Sequence, residues 1–173
     1  MAPSRGVKSW VTEGGIRCPC LIHYPPFHTE PSAISPAFTT VMDILPTMLE
    51  LAGVKHPGEH FRNRTVCKPR GKSWVDYLSS SDYRGGTVHG EDEHIHGWEF
   101  LSQRAIREGK WKAVFLPPPR GQSKWELFNL AEDPAELHDR STEHPDLLNK
   151  LVAHWEQFYS ETGMVPTPMF GRQ

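Results

Sequence analysis

The densest grouping of potentially reactive side chains in this chain is His89, Glu91, Asp92, Glu93, His94 and His96. On a strand, His94 and His96 project from one face, and imidazoles with carboxylates suit a transition metal. A charged run of this kind more often forms a solvated face, and that is the expectation: no metal site. Cys18, Cys20 and Cys67 are an odd set without paired metal-ligand spacing. They read as reduced core thiols rather than a disulfide framework or a zinc site. Lys8 is by its own chemistry a solvated lysine, and the Gly14-Gly15 pair downstream lets the backbone turn tightly. Trp98, Phe100, Trp111, Phe115, Trp125 and Phe128 can stack on sugars or bases, but their strand-like positions favour sheet packing.

Composition limits what these residues can serve. The net charge is -2, from 19 basic and 21 acidic residues with no long basic block, so neither nucleic acid nor an acidic membrane is an expected partner. No apolar stretch has the length of a membrane span, and Met1 to Trp10 lacks the apolar core of a signal peptide. A soluble chain is expected, with the cytoplasm favoured. With 173 residues, of which 37% are hydrophobic, 16 Pro and 14 Gly, loops are frequent and an α/β to α+β class is favoured over a helical bundle.

The elements that must position the candidate residues can be read in order. Ile16 to Tyr24, between Gly14-Gly15 and Pro25-Pro26, reads as a buried strand. Asp43 is expected to cap a helix running to Gly53, with Pro46 in the first turn and Leu45, Met48, Leu49 and Ala52 on the face that packs on a sheet. Ser73 to Leu78 suits a short helix. Thr87 to Glu93, Trp98 to Ile106, Lys110 to Leu116 and Trp125 to Leu130 are strand-length, and the tight turn at Glu108-Gly109 favours an antiparallel sheet. Pro145 opens a helix whose stripe is Leu147, Leu148, Leu151, Val152, Trp155, Phe158 and Tyr159, and Gly163 closes it. Ser79-Ser80-Ser81-Asp82 and Gly85-Gly86 mark the expected boundary between segments 1–82 and 83–173. Val165 to Gln173 reads as an extended tail.

Four pieces of the chain, taken together, resemble the C-terminal third of a type I sulfatase of the arylsulfatase kind, in the alkaline phosphatase superfamily. They are Lys8 with Thr12-Glu13-Gly14-Gly15-Ile16-Arg17, the run from Val41 to Gly53, Arg104-Ala105-Ile106-Arg107 with Gly109-Lys110-Trp111-Lys112, and Trp125-Glu126-Leu127-Phe128-Asn129-Leu130 with Asp133-Pro134-Ala135-Glu136. The resemblance implies that 1–82 is the remnant of a catalytic α/β sheet domain and that 83–173 is an antiparallel four-stranded sheet packed on a helix. It also implies hydrolysis of sulfate esters in an intact parent. There a formylglycine made from a C-x-P-x-R type motif attacks sulfur, while calcium and cationic side chains stabilise the sulfuryl oxygens.

Of that machinery only Lys8 carries over, as a sulfate contact whose compact ammonium offsets negative charge on the leaving oxygen. Met1-Ala2-Pro3-Ser4-Arg5 has the outline of the modification motif, but methionine cannot be oxidised to the aldehyde and Ser4 has no supporting base. The expectation is thus a sulfatase fragment inactive on its own, with no cofactor in this chain. Two other readings stand beside it: a non-catalytic interaction module or pseudoenzyme on the same fold, and a parent that cleaves phosphonate or phosphate esters.

Overall fold

The computed structural model of the protein describes residues 4–27, 34–80, 86–90 and 94–165. In chain order its elements are α1 (Glu13–Ile16), a 3₁₀ turn (Val41–Asp43), α2 (Ile44–Leu51), β1 (His60–Phe61), β2 (Arg64–Thr65), α3 (Val75–Ser79), β3 (Ile95–Phe100), β4 (Gln103–Glu108), β5 (Trp111–Phe115), β6 (Trp125–Asn129) and α4 (Pro145–Thr162). They group into two compact units. The first joins the residues up to Cys20 with those from Glu91 onward, and the second holds Leu21–Gly90. The expected cut at 82/83 follows composition, whereas these units follow contacts.

The first unit is a meander of four antiparallel strands in the order β3-β4-β5-β6. Alternation divides its side chains between two faces. Ile106, Ala113 and Leu127 stand opposite one another on neighbouring strands and pack against Leu151 and Trp155 of α4. Each such large apolar side chain contributes about 1.5–3 kcal/mol on burial. Gly97 lets α4 come close, since a Cβ there would lie 2.4 Å from the Phe158 ring. The helix ends at Gly163, whose φ of 63° makes the left-handed stop. Ala105, Val114, Leu116 and Phe128 form the opposite face, and Val11 and Trp10 of the N-terminal segment cover it. The expected four-stranded sheet and covering helix are therefore present.

The second unit is built around a carboxylate. Thr40 and Asp43 form a reciprocal capping box: the Met42 amide donates to Thr40 Oγ1 at 3.2 Å and the Thr40 amide to Asp43 Oδ2 at 2.7 Å. Asp43 Oδ1 also accepts the Lys72 amide at 2.9 Å, and His89 Nε2 lies 2.8 Å from Oδ2. Thr47 Oγ1 donates to Asp43 O and accepts the Trp74 amide, tying α2 to α3. Burial would raise the Asp43 carboxyl, but the His89 hydrogen bond and the Thr40 and Lys72 amides outweigh it and hold the group below its usual value.

Several expectations are corrected. Ile16 ends α1, and Arg17 to Tyr24 is irregular and exposed, with Leu21 98% accessible. A strand needs a partner for its ladder; none pairs with this run among the described residues, and Pro19 has no N–H to offer. Trp98 to Ile106 is not one strand: it breaks at Leu101 and Ser102, whose φ values of 51° and 65° make the tight turn between β3 and β4. Thr87 to Gly90 forms no strand, and Glu91 to Glu93 lies outside the described residues. Asp43 does not cap α2 with its side chain, because its oxygens serve Thr40, Lys72 and His89. The face expected to pack on a sheet is open, with Leu45 51% and Met48 60% exposed, and α2 buries Thr47 instead. All three cysteines are exposed and free rather than in the core. Ser81, Asp82, Gly85 and the tail from residue 166 lie outside the described residues.

Candidate functional site

Lys8 sits in a turn closed by the Trp10 amide donating to Val7 O at 3.1 Å. The next residue, Ser9, has a φ of 72°, the left-handed conformation that the third position of a type II turn requires. For a residue with a Cβ this costs about 1–2 kcal/mol, so other contacts must hold the turn. Lys8 itself is exposed and pairs with no carboxylate among the described residues.

The segment after the turn folds back onto it. The Gly14 amide and Thr12 Oγ1 both donate to Arg5 O, each at 2.8 Å. The expected role of Gly14-Gly15, a tight entry into a strand, gives way to another: both lie in α1, pressed against the Lys8 loop. A Cβ at Gly14 would lie 2.3 Å from Gly6 O, and one at Gly15 2.1 Å from Trp10 O. Only glycine permits that approach.

Glu13, between these glycines and Thr12, anchors the loop to the sheet. Its Oε1 lies 2.8 Å from Lys112 Nζ, and the ammonium is also 2.8 Å from Glu136 Oε1. The Glu13 amide donates to Glu136 Oε2 at 2.8 Å, and Lys112 stands 5.6 Å from the Trp98 ring centroid. Lys112 and Glu136 side chains are wholly buried and Glu13 nearly so. Burial pushes the Glu136 carboxyl up, and the Lys112 charge with the Glu13 amide opposes that push. Glu136 reaches inward because its φ of 56° turns the chain after Asp133, whose Oδ2 takes the Leu137 and His138 amides.

This triad escaped the sequence reading, although its members were all in view. Glu13 comes from the first motif, Lys112 from the third and Glu136 from the fourth. A buried lysine on a strand leaves no periodic signal beyond interrupting an apolar face, so only the joint occurrence of the motifs hinted at it. His94 and His96 do share a face, their rings 5.7 Å apart, and the His96 ring lies tilted against Trp98 with centroids 4.5 Å apart. No three of His, Cys, Asp and Glu among the described residues are placed to hold a metal ion. The calcium implied by the resemblance therefore finds no such cluster of ligands among the described residues. Among the described residues Ser4 makes no hydrogen bond to a base, and Met1 to Pro3 lie outside them.

A family model described as N-sulphoglucosamine sulphohydrolase, C-terminal, matches residues 7–160, which include Lys8 and the whole triad. The chain belongs to that sulfatase family. Among curated proteins, an uncharacterised sulfatase of Schizosaccharomyces pombe is 48% identical over 167 residues, covering 96% of this chain and 29% of the yeast protein. The steryl-sulfatase of Mus musculus is 29% identical over 118 residues, 66% of this chain and 17% of its own length. A crystal structure of Ps i-CgsB in complex with k-i-k-neocarrahexaose aligns with a TM-score of 0.47 at 25% identity, over 67% of this chain and 23% of that one. This sulfatase chain thus spans less than a third of the length of the relatives it matches. No helix among its described residues is long and apolar enough to cross a membrane.

Proposed function

We propose that these 173 residues form the C-terminal part of a sulfuric ester hydrolase of arylsulfatase type and that Lys8 is its sulfate contact. One observation carries the reading: three separated motifs meet at Lys112, and they anchor α1, which packs against the turn that presents an exposed lysine. A lysine whose backbone is held in this way can place its ammonium beside an anionic sulfuryl or leaving oxygen at a smaller ordering cost during the reaction. The substrate class is a small-molecule sulfate ester. The nucleophile, a formylglycine, and the calcium are supplied from outside these residues, which hold no C-x-P-x-R motif with an oxidisable first position.

Two measurements test this. The purified chain, given an aryl sulfate and calcium, shows no turnover; hydrolysis above background overturns the claim that it is inactive alone. In a chimera where the chain replaces the matching part of the S. pombe sulfatase, Lys8→Ala lowers kcat by about 10²–10³, the loss typical of one oxyanion-stabilising group. Unchanged hydrolysis by that variant would remove Lys8 from the site.

A further inference from the structure

The triad anchors the segment behind Lys8, but the turn itself is fastened elsewhere. Two side chains from separate places in the first unit converge on one atom, the carbonyl oxygen of Ser9. Gln103 Nε2, on the first residue of β4, donates to it at 2.9 Å, and Arg120 Nη1 donates to it from the loop after β5. Gln103 is 1% exposed, and its Nε2 also reaches Phe100 O at 3.1 Å, bridging the Lys8 turn to the turn between β3 and β4. Arg120 lies 5.0 Å from the Trp10 ring centroid, so its planar guanidinium covers the residue that closes the turn. Its own loop is tight: the Arg120 and Gly121 amides both donate to Pro117 O, and Gly121 lies so near Leu116 that a Cβ would come within 2.5 Å of Leu116 O.

We propose that Gln103 and Arg120 are positioning residues for Lys8, acting through the Ser9 carbonyl oxygen they share. The proposal rests on the assignment of Lys8 to the sulfate. A lysine carries its charge on a flexible four-carbon stem, so the direction in which it points depends on how firmly its backbone is held. Two donors on Ser9 O fix the left-handed residue next to Lys8 and thereby the origin and direction of that stem. An ammonium displaced by about 1 Å can cost on the order of 100-fold in rate, so a loose turn lowers kcat without removing any group that touches substrate.

Amide exchange in this 173-residue chain reads the fastening directly. Gln103→Ala and Arg120→Ala each speed exchange of the Trp10 amide by about tenfold while leaving β5 amides protected, and Arg120→Lys falls between. Unchanged exchange in both alanine variants overturns the proposal. Kinetics with an aryl sulfate in the S. pombe chimera read the consequence. Each alanine variant lowers kcat by about tenfold with KM within twofold, and the same substitutions made on a Lys8→Ala background lower it no further.

An equal loss on both backgrounds, or none on either, also overturns the proposal, because the two residues would then not act through Lys8. If Lys8→Ala alone keeps full activity, the sulfate-contact reading falls and takes the proposal with it, an outcome distinct from the others. Should one variant fail to fold, the other decides; should the chimera be inert, the exchange measurement decides.

Discussion

The two units of this chain keep opposite kinds of residue inside. In the first, a sheet is covered on both faces, by α4 on one and by the Trp10 to Thr12 segment on the other, and among the described residues its core is mostly apolar, with one closed ion triad and the polar Thr12, Gln103 and Asn129 also buried. In the second, the buried ones among the described residues are Asp43, Thr47, Trp74 and His89, while Val41, Ile44, Leu45 and Met48 are exposed. Hydrophobic burial therefore stabilises the first unit, and a hydrogen-bonded carboxylate organises the second. The difference teaches where each will fail: one through cavities and unpaired charge, the other through loss of a single acceptor.

The sharpest way to break this contrast is to strike the apolar core. Trp155→Ala should destabilise the first unit by about 3–5 kcal/mol in denaturant unfolding. Lys112→Met should cost a comparable amount, about 3–5 kcal/mol, by leaving Glu13 and Glu136 buried without their cation. Adding Glu13→Gln and Glu136→Gln should recover most of that loss; if it does not, the cost lies in packing rather than charge. Asp43→Ala should cost less, about 1–3 kcal/mol, and amide exchange should show it at Thr40 and Lys72 but not in β4 or β5.

Acid separates the units as well. The Asp43 carboxyl titrates below the 3.8 of a free aspartate in the folded chain, so the native state binds its proton less readily than the unfolded one. Its contribution is fully present above that value and is lost as pH falls through the lower folded pKa. Protection of the Lys72 amide, taken relative to its intrinsic exchange rate, should therefore fall only once pH drops below 3.8, and Asp43→Asn should flatten that dependence. The smallest effect is expected at Met48→Lys: within about 0.5 kcal/mol in this chain, because the side chain already faces outward.

Much of the first unit was legible. The α4 stripe, its Pro145 start and its Gly163 stop follow helical periodicity and capping chemistry, and β5 and β6 lie where short apolar runs were read. The β3–β4 turn was not, because Leu101 and Ser102 adopt positive φ without the glycine or asparagine that announces such turns. The second unit misled for a different reason. The residues at helical spacing in α2 suggested a buried face, and Asp43 suggested a simple cap, yet periodicity records apolar residues and cannot tell whether anything covers them. Asp43 was drawn away from α2 by partners as distant as Lys72 and His89, which no local pattern reveals. Lys8 is a candidate by resemblance alone, while the Glu13 side of the triad and the Ser9 clamp depend on contacts across more than 90 residues.

Those separations bear on how the protein comes into being. Arg5 meets Glu126 across 121 positions, and the Glu13 amide meets Glu136 across 123. Contacts so distant in sequence form slowly, after the entropy of closing a long loop has been met. During synthesis the lysine turn must wait until β6 and the Asp133 bend have been made. A chain interrupted before Glu136 would carry Lys8 but leave the segment behind it without its anchor, so that segment is set only once Glu136 has been made.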